Sequence, residues 1–248
     1  MPDNNHTNIT AAQLGTLYLL PSTMSDASID RVLPPHNAEV IRSLRHFVVE
    51  NVRTTRRFLK RVDRSIDIDD LTFEVLDEHT QRSDVAAMLA PLLRGESIGV
   101  ISEAGCPAVA DPGAAAVAEA HRMGAKVVPM VGPSSIMLSL MASGMNGQQF
   151  TFLGYLPVER QARAAALKEI QRRVSRDNVT QVFIETPYRN NRLIAELAQQ
   201  LPGDMQLCVA ADLTGPGESI VSRSLKEWAH AAYDYGKTPA IFVVGNNS

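Results

Sequence analysis

Ser97-Ile-Gly-Val-Ile-Ser102, then Glu103-Ala-Gly-Cys-Pro-Ala-Val-Ala-Asp-Pro-Gly113, Ala114 to Met123, Lys126-Val-Val-Pro-Met-Val131, Gly132-Pro-Ser-Ser135 and Ile136 to Ser143 read as strand, loop, helix, strand, loop and helix. Strands alternating with helices through short Gly/Pro loops predict a parallel sheet with crossover helices, because parallel neighbours cannot be joined by a tight turn. In such sheets ligands lie beyond the carboxyl ends of the strands. Both loops of this stretch fall there, and the first exceeds the roughly 2 to 6 residues usual for a strand-to-helix connection.

Working outward, Leu14-Gly-Thr-Leu-Tyr-Leu-Leu20 reads as a buried first strand closed by the breaker cluster Pro21-Ser-Thr-Met-Ser-Asp26. The polar, Asn-rich stretch from Met1 to Gln13 has no period and is expected to be a disordered tail. Short helices are expected over Asp26 to Leu33 and Ala38 to Leu44, a strand over His46 to Glu50, a helix over Val52 to Val62 and a strand over Leu71 to Asp77. A helix over Ser83 to Arg94 would be capped by Ser83 or Asp84 and ended by Gly95.

Beyond Gly144 the pattern gives strands over Gln149 to Pro157, Thr180 to Glu185, Met205 to Ala210, Glu218 to Ser222 and Thr238 to Gly245, with helices over Glu159 to Arg176, Asn190 to Leu201 and Leu225 to Tyr233. The fold class is therefore α/β, as two α/β domains over residues 14–131 and 132–248.

The 248 residues are 45% hydrophobic, with 15 Gly and 14 Pro, an ordinary globular composition. A net charge of −3 makes no global case for nucleic acid. Two segments are locally basic: Arg42, Arg45, Arg53, Arg56, Arg57, Lys60, Arg61 and Arg64 in one, and Arg160, Arg163, Lys168, Arg172, Arg173 and Arg176 in the other. The first reads as a solvated helix face or as a phosphate-contacting surface. Two cysteines exclude a disulfide framework, and no apolar run approaches the roughly 18 residues of a membrane span. The expected setting is cytoplasmic, with no membrane partner and no metal.

The usual dinucleotide, P-loop and zinc signatures are absent, and none of the six histidines pairs with Cys106 or a serine at a spacing that makes a nucleophile. What recurs is a set of strand-end loops of small residues: Pro21-Ser22, Gly105-Cys-Pro107, Gly132-Pro-Ser-Ser135, Glu185-Thr-Pro187, Asp212-Leu-Thr214 and Thr238-Pro-Ala240. Small residues let a flat ligand approach backbone groups that read its edge.

These same loops carry a family resemblance. Leu14 to Leu20, Ile101-Ser-Glu-Ala-Gly-Cys-Pro-Ala-Val-Ala-Asp-Pro-Gly113, Val128 to Ser135 with Ala142-Ser-Gly144, Phe152-Leu-Gly-Tyr-Leu-Pro157 and Ile184-Glu-Thr-Pro-Tyr-Arg189 together resemble the tetrapyrrole methylase superfamily of S-adenosylmethionine-dependent methyltransferases. Within it they look most like the branch that methylates ribose 2′-oxygens of 16S ribosomal RNA. The resemblance implies two α/β domains with the cofactor between them, in a homodimer. Carried over residue by residue, it implies S-adenosylmethionine contacts at Leu20, Pro21, Gly105, Cys106, Pro107, Val109, Ser135 and Ile136. It implies further contacts at Ile184, Glu185, Thr186, Ala211, Leu213, Pro239 and Ala240. Porphyrin-modifying members carry G-D-P where this chain has Gly105-Cys106-Pro107, and the RNA branch also lacks that Asp.

Two motifs depart from that branch: its T-P-I-G-N-L is here Pro21-Ser-Thr-Met-Ser-Asp26, and its A-E-D-T-R is here Val49-Glu-Asn-Val-Arg53. The alternatives to ribosomal RNA or the small ribosomal subunit as acceptor are a small tetrapyrrole-like molecule, or binding of cofactor without turnover. Methyl transfer needs its nucleophile held about 3 to 3.5 Å away and in line. A ribose hydroxyl also gains from a base, for which Glu50, Glu103, Asp111 and Glu185 are candidates. Glu50 and Arg53 match the A-E-D-T-R positions and are the expected catalytic pair.

Overall fold

The structure is a computed structural model that describes residues 14–246; the expected tail over Met1 to Gln13 lies outside them. The chain divides into two compact units, one holding residues through Thr23 together with Ser28–Pro133, the other Met24–Ala27 with Ser134 onward. The expectation of two contiguous halves meeting at Gly132 does not account for Met24–Ala27. Met24 packs in the second unit against the cluster of Leu140 and Met145, and Ser25 Oγ lies 3.1 Å from Thr214 Oγ1.

In the first unit the elements run β1 (Thr16–Leu19), α1 (Ile29–Val32), α2 (Pro35–Ser43), β2 (His46–Val49), α3 (Val52–Val62), β3 (Thr72–Val75), α4 (Arg82–Met88), β4 (Ile98–Ile101), α5 (Gly113–Met123) and β5 (Lys126–Pro129). The strands form one sheet in the order β3-β2-β4-β1-β5, every pair parallel, as the loop pattern predicts. Alternation along each strand sends Leu17, Val48 and Val100 to the face covered by Val85, Leu89, Ala116 and Ala120. It sends Phe47, Val49 and Ile101 to the face covered by Ile41, Phe58 and Leu59.

The helix α3 matches its sequence reading to the residue. Asn51 caps it by accepting from Arg53 and Thr54 N–H, and Thr55, Phe58 and Leu59 form its buried stripe. The expected helix over Ser83 to Arg94 breaks instead. Neither Ser83 nor Asp84 is the cap, since Gln81 holds that position, and α4 gives way to a 3-10 turn over Ala90–Arg94. Pro91, which has no N–H, stands where the helix would continue. Gly95 ends the segment in the left-handed region, as expected.

The second unit is built from α6 (Ser135–Ser143), β6 (Phe150–Tyr155), α7 (Arg160–Asp177), β7 (Thr180–Ile184), α8 (Asn190–Gln200), β8 (Gln206–Ala211), β9 (Ser219–Ser224), α9 (Leu225–Trp228) and β10 (Ala240–Gly245). Its sheet, ordered β6-β7-β10-β8-β9, is mixed: only β6 and β7 are parallel. Phe183, Val209 and Phe242 meet Leu167, Leu193 and Trp228 on one face, and Val182, Cys208 and Val243 meet Leu140 on the other. The helix expected over Leu225 to Tyr233 stops at Trp228. The following chain is held by α8 side chains, with Asn191 Oδ1 accepting from Tyr235 N–H and Asn190 Nδ2 donating to the Tyr235 and Thr238 carbonyls.

One contact fixes the carboxyl edge of the first unit. A Cβ on Gly132 would sit 2.2 Å from Pro21 Cβ, so only glycine lets the two loops meet. Gly132→Ala is therefore expected to lower stability by about 1 to 3 kcal/mol, the usual cost of overpacking. A urea midpoint equal to that of the wild type would refute this.

Candidate active site

In the first unit the carboxyl ends of β1, β2 and β4 converge. Leu20 N–H donates to the Val100 carbonyl, Ser22 N–H donates to the Gly105 carbonyl at 2.9 Å, and Leu20 and Pro21 are buried. The long loop after β4 is held from within by Asp111, whose Oδ1 accepts from Ala108 N–H at 2.9 Å and Gly113 N–H at 2.7 Å. From outside it is held by Glu50, whose Oε1 accepts from Glu103 N–H at 3.0 Å. Glu50 and Asp111 line a narrow crevice with Val49, Ser102 and Gly113. Burial pushes the Glu50 carboxyl above its ordinary value, against the lowering effect of the Glu103 N–H, and the nearby Asp111 and Glu103 charges add to the rise.

Four candidates therefore share this edge with Glu50: Gly105, Cys106 and Pro107 in the loop and Arg53 at the start of α3. Val109 stands apart as an exposed residue. Arg53 is also exposed and makes no ion pair among the described residues. The Cys106 thiol donates to the Pro133 carbonyl at 3.3 Å, and burial raises its pKa. Both observations speak against a nucleophile, which needs the thiolate. Glu103 is occupied as the acceptor of the Thr54 hydroxyl.

In the second unit Ile184, Glu185 and Thr186 end β7, while Ala211 and Leu213 end β8. Pro239 precedes β10 and Ala240 opens it, yet they reach the same edge because β10 runs antiparallel between its neighbours, pairing Ala240 with Ala211 and Ile241 with Ile184. Asp212 N–H donates to the Pro239 carbonyl at 2.9 Å. Ser135 and Ile136 form the first turn of α6, which Ser134 caps. Glu185 is the base candidate that the geometry removes. Its buried carboxylate accepts from Thr186 N–H at 2.8 Å and faces Arg163 and Arg189, each at 3.6 Å. It holds backbone and cations in place.

Backbone strain gathers in these loops. Six described residues other than glycine have positive φ, and five of them, Ala108, Ala110, Asp212, Thr214 and Lys237, lie in or beside the candidate loops. Each such conformation costs about 1 to 2 kcal/mol, and strain of this kind collects at ligand sites. One residue, Ser22, lies in a strand-end loop that the sequence marks but is not among the contacts that the resemblance implies. The residue is 4% exposed and its hydroxyl has no hydrogen-bond partner among the described residues, a costly arrangement that a ligand acceptor or donor would relieve. No sequence pattern signals an orphaned hydroxyl; it shows only once the fold is known.

A family model described as Tetrapyrrole (Corrin/Porphyrin) Methylases matches residues 32–229, well over half of the chain. The chain belongs to that family. It is a methyltransferase, and its likeness to the ribosomal RNA branch is borne out by curated relatives named Ribosomal RNA small subunit methyltransferase I. The protein of that name from Vibrio cholerae is 31% identical over 85% of this chain and 69% of its own length. Those from Mesorhizobium japonicum and Micromonospora olivasterospora are 34% and 32% identical, over 68% and 86% of this chain. The chain spans 56% and 64% of those two proteins, less than two thirds of their length. Among solved structures, diphthine synthase aligns with a TM-score of 0.66 at 16% identity over 94% of this chain and 90% of its own. The methyltransferase CobJ aligns with a TM-score of 0.62 at 15% identity over 94% of both chains. At such identities these two speak for the fold alone, which is that of this methylase's family.

In the first unit the orphaned Ser22 hydroxyl and the strained backbone at Ala108 and Ala110 both belong to loops at the carboxyl edge of the sheet. Removing an unpaired buried hydroxyl costs the fold nothing. Ser22→Ala is thus expected to leave the melting temperature unchanged or higher while weakening S-adenosylhomocysteine binding severalfold by calorimetry. Unchanged affinity would show that the hydroxyl serves no ligand.

Proposed function

We propose that this methylase takes its methyl group from S-adenosylmethionine and delivers it to a ribose 2′-hydroxyl of small-subunit ribosomal RNA in the cytoplasm, as a homodimer. The observation that carries the reading is the run of curated relatives named for small-subunit ribosomal RNA methylation, at up to 34% identity. Glu50 supports it, because a half-buried carboxylate with a raised pKa suits a weakly acidic alcohol better than an ordinary solvated one does.

In this reading Leu20, Pro21, Ser22, Gly105, Cys106, Pro107 and Val109 contribute cofactor contacts from the first unit. Ser135, Ile136, Ile184, Thr186, Ala211, Leu213, Pro239 and Ala240 contribute them from the second, and Glu185 positions the backbone beside them. The cofactor supplies an electrophilic methyl group on sulfonium sulfur. Glu50 is fixed through Oε1 by the Glu103 N–H, which leaves Oε2 without a partner among the described residues and free to take the hydroxyl proton. Arg53 orients the phosphate or ribose next to the target. Positioning supplies the larger share, about 7 to 11 kcal/mol of barrier, and the base about 10² to 10⁴-fold.

Calorimetry should find one S-adenosylhomocysteine per chain, and ligand should raise the melting temperature. Absence of both effects at millimolar ligand ends this reading. Sedimentation should give about twice the 27.0 kDa chain mass, and a monomer at micromolar concentration contradicts the homodimer.

The pH dependence follows from Glu50. Its folded-state pKa is raised above 4.5, so the stability it contributes is present below that value and fades as pH rises through the folded value. Activity runs the other way, since the base must be ionised: kcat/KM should climb with pH through the raised Glu50 pKa. Glu50→Gln should lower kcat by about 10² to 10⁴-fold and abolish that acid limb. A Gln variant with the same acid limb would assign the base elsewhere.

A further inference from the structure

The sequence contains two basic helices, and the structure treats them differently. On α7, where Arg160, Lys168 and Arg176 make no ion pair among the described residues, the other three cations are neutralised at home. Arg163 pairs with Glu196 at 2.8 Å and with Glu185, Arg172 with Glu169 at 2.6 Å and with Asp177, and Arg173 with Glu169 at 3.0 Å.

On α3 they are not. The helix contains no acidic residue. Arg53, Arg56 and Arg57 are exposed and make no ion pair among the described residues, and Asp63, the acid just past the helix, is taken by Arg42 at 3.1 Å and by Ser65. Thr55, Phe58 and Leu59 face the core, which confines Arg53, Arg56, Arg57 and Lys60 to the opposite arc of the helix, within about 100° by helical geometry. Arg56 is laid over the Phe73 ring at 5.4 Å, and Lys60 Nζ donates to the Arg64 and Ile66 carbonyls, so the row is braced against the unit. Its first member stands three residues after Glu50. From Arg53 to Lys60 the row spans about 10 Å at 1.5 Å per residue.

Uncompensated cations in a line cost self-repulsion in the free protein, and a polyanionic backbone laid along them removes it. We infer that the outer face of α3 is the phosphate track of this enzyme: Arg53, Arg56 and Arg57 hold the backbone of a single-stranded RNA segment whose target ribose lies at Glu50. The inference rests on the RNA reading above. It adds that this helix and not α7 carries the phosphate contacts, and that unstacked single-stranded RNA, whose ribose hydroxyls are open to approach, is the form engaged.

Fluorescent single-stranded RNA is titrated at salt concentrations from 50 to 200 mM against the wild type, Arg56→Gln/Arg57→Gln, and the α7 control Arg172→Gln/Arg173→Gln. Small ribosomal subunits are methylated in parallel. Two lost phosphate contacts should reduce the salt slope by about 1.4, equivalent to about 25-fold weaker binding at 0.1 M salt. KM for subunits should rise with kcat held, while S-adenosylhomocysteine affinity and melting temperature stay unchanged; the α7 pair should behave as wild type. An unchanged slope in the α3 pair, or an equal fall in the α7 pair, overturns the track while leaving the enzyme an RNA methylase. Arg57→Gln alone guards against misfolding from the lost Arg56–Phe73 contact, and it should take about 0.7 from the slope. A wild type that binds S-adenosylhomocysteine yet methylates no ribosomal RNA overturns the function and the track together.

Discussion

A strand-to-helix loop as long as the one between Ser102 and Gly113 must find partners for backbone groups that no ladder can satisfy. It finds them in two carboxylates and one neighbouring loop: Asp111 takes two of its N–H groups, Glu50 takes a third, and the Gly105 carbonyl takes the Ser22 N–H. With those partners the loop can hold Ala108 and Ala110 in the left-handed region, and without them it would relax. The same bond that steadies the loop also aims Glu50. Architecture and the proposed chemistry in the first unit thus share one hydrogen bond, and the raised Glu50 pKa reflects burial at this edge.

The second unit reaches a comparable edge by another route. Its sheet is mixed, yet β10 is turned so that its amino end meets the carboxyl ends of β7 and β8. An all-parallel sheet would have sent Pro239 and Ala240 to the far side. The carboxylate of Glu185, set between Arg163 and Arg189, then fastens the turn after β7 to two helices. Its burial is tolerable because both cations and the Thr186 N–H answer the charge.

Local chemistry wrote much of this into the sequence. The glycine at position 95 closed its segment in the left-handed region as expected, α3 ran over the expected residues, and the small-residue loops fell at strand ends. Strand direction is another matter. Ala240-Ile-Phe-Val-Val reads as buried on both faces whichever way it runs, so the residues carry no sign of antiparallel pairing. The asparagines at 190 and 191 act through distant partners, which periodicity cannot weigh, whereas Pro91 is a local breaker that the helical period overrode. The Ser22 hydroxyl is defined by what it lacks, and a sequence records no absences of that kind. For the basic segments, composition alone shows two runs of cations, and the placement of Glu169, Asp177 and Glu196 beside Arg163, Arg172 and Arg173 appears only in the fold.

The position of β10 bears on how the chain is made. The first unit's sheet uses strands that are all synthesised by Pro129, whereas the second unit's sheet has its central position filled by the strand at Ala240–Gly245. During vectorial synthesis β7 and β8 must therefore wait, unpaired along the sides that will face β10, until that late strand emerges. Pairing at such long sequence separation is slow, and open strand edges invite association with other chains. Emergence of this one strand from the ribosome is the event that closes the second sheet, so the interval between the synthesis of β8 and that of β10 is when a nascent chain of this protein is most exposed to misassembly.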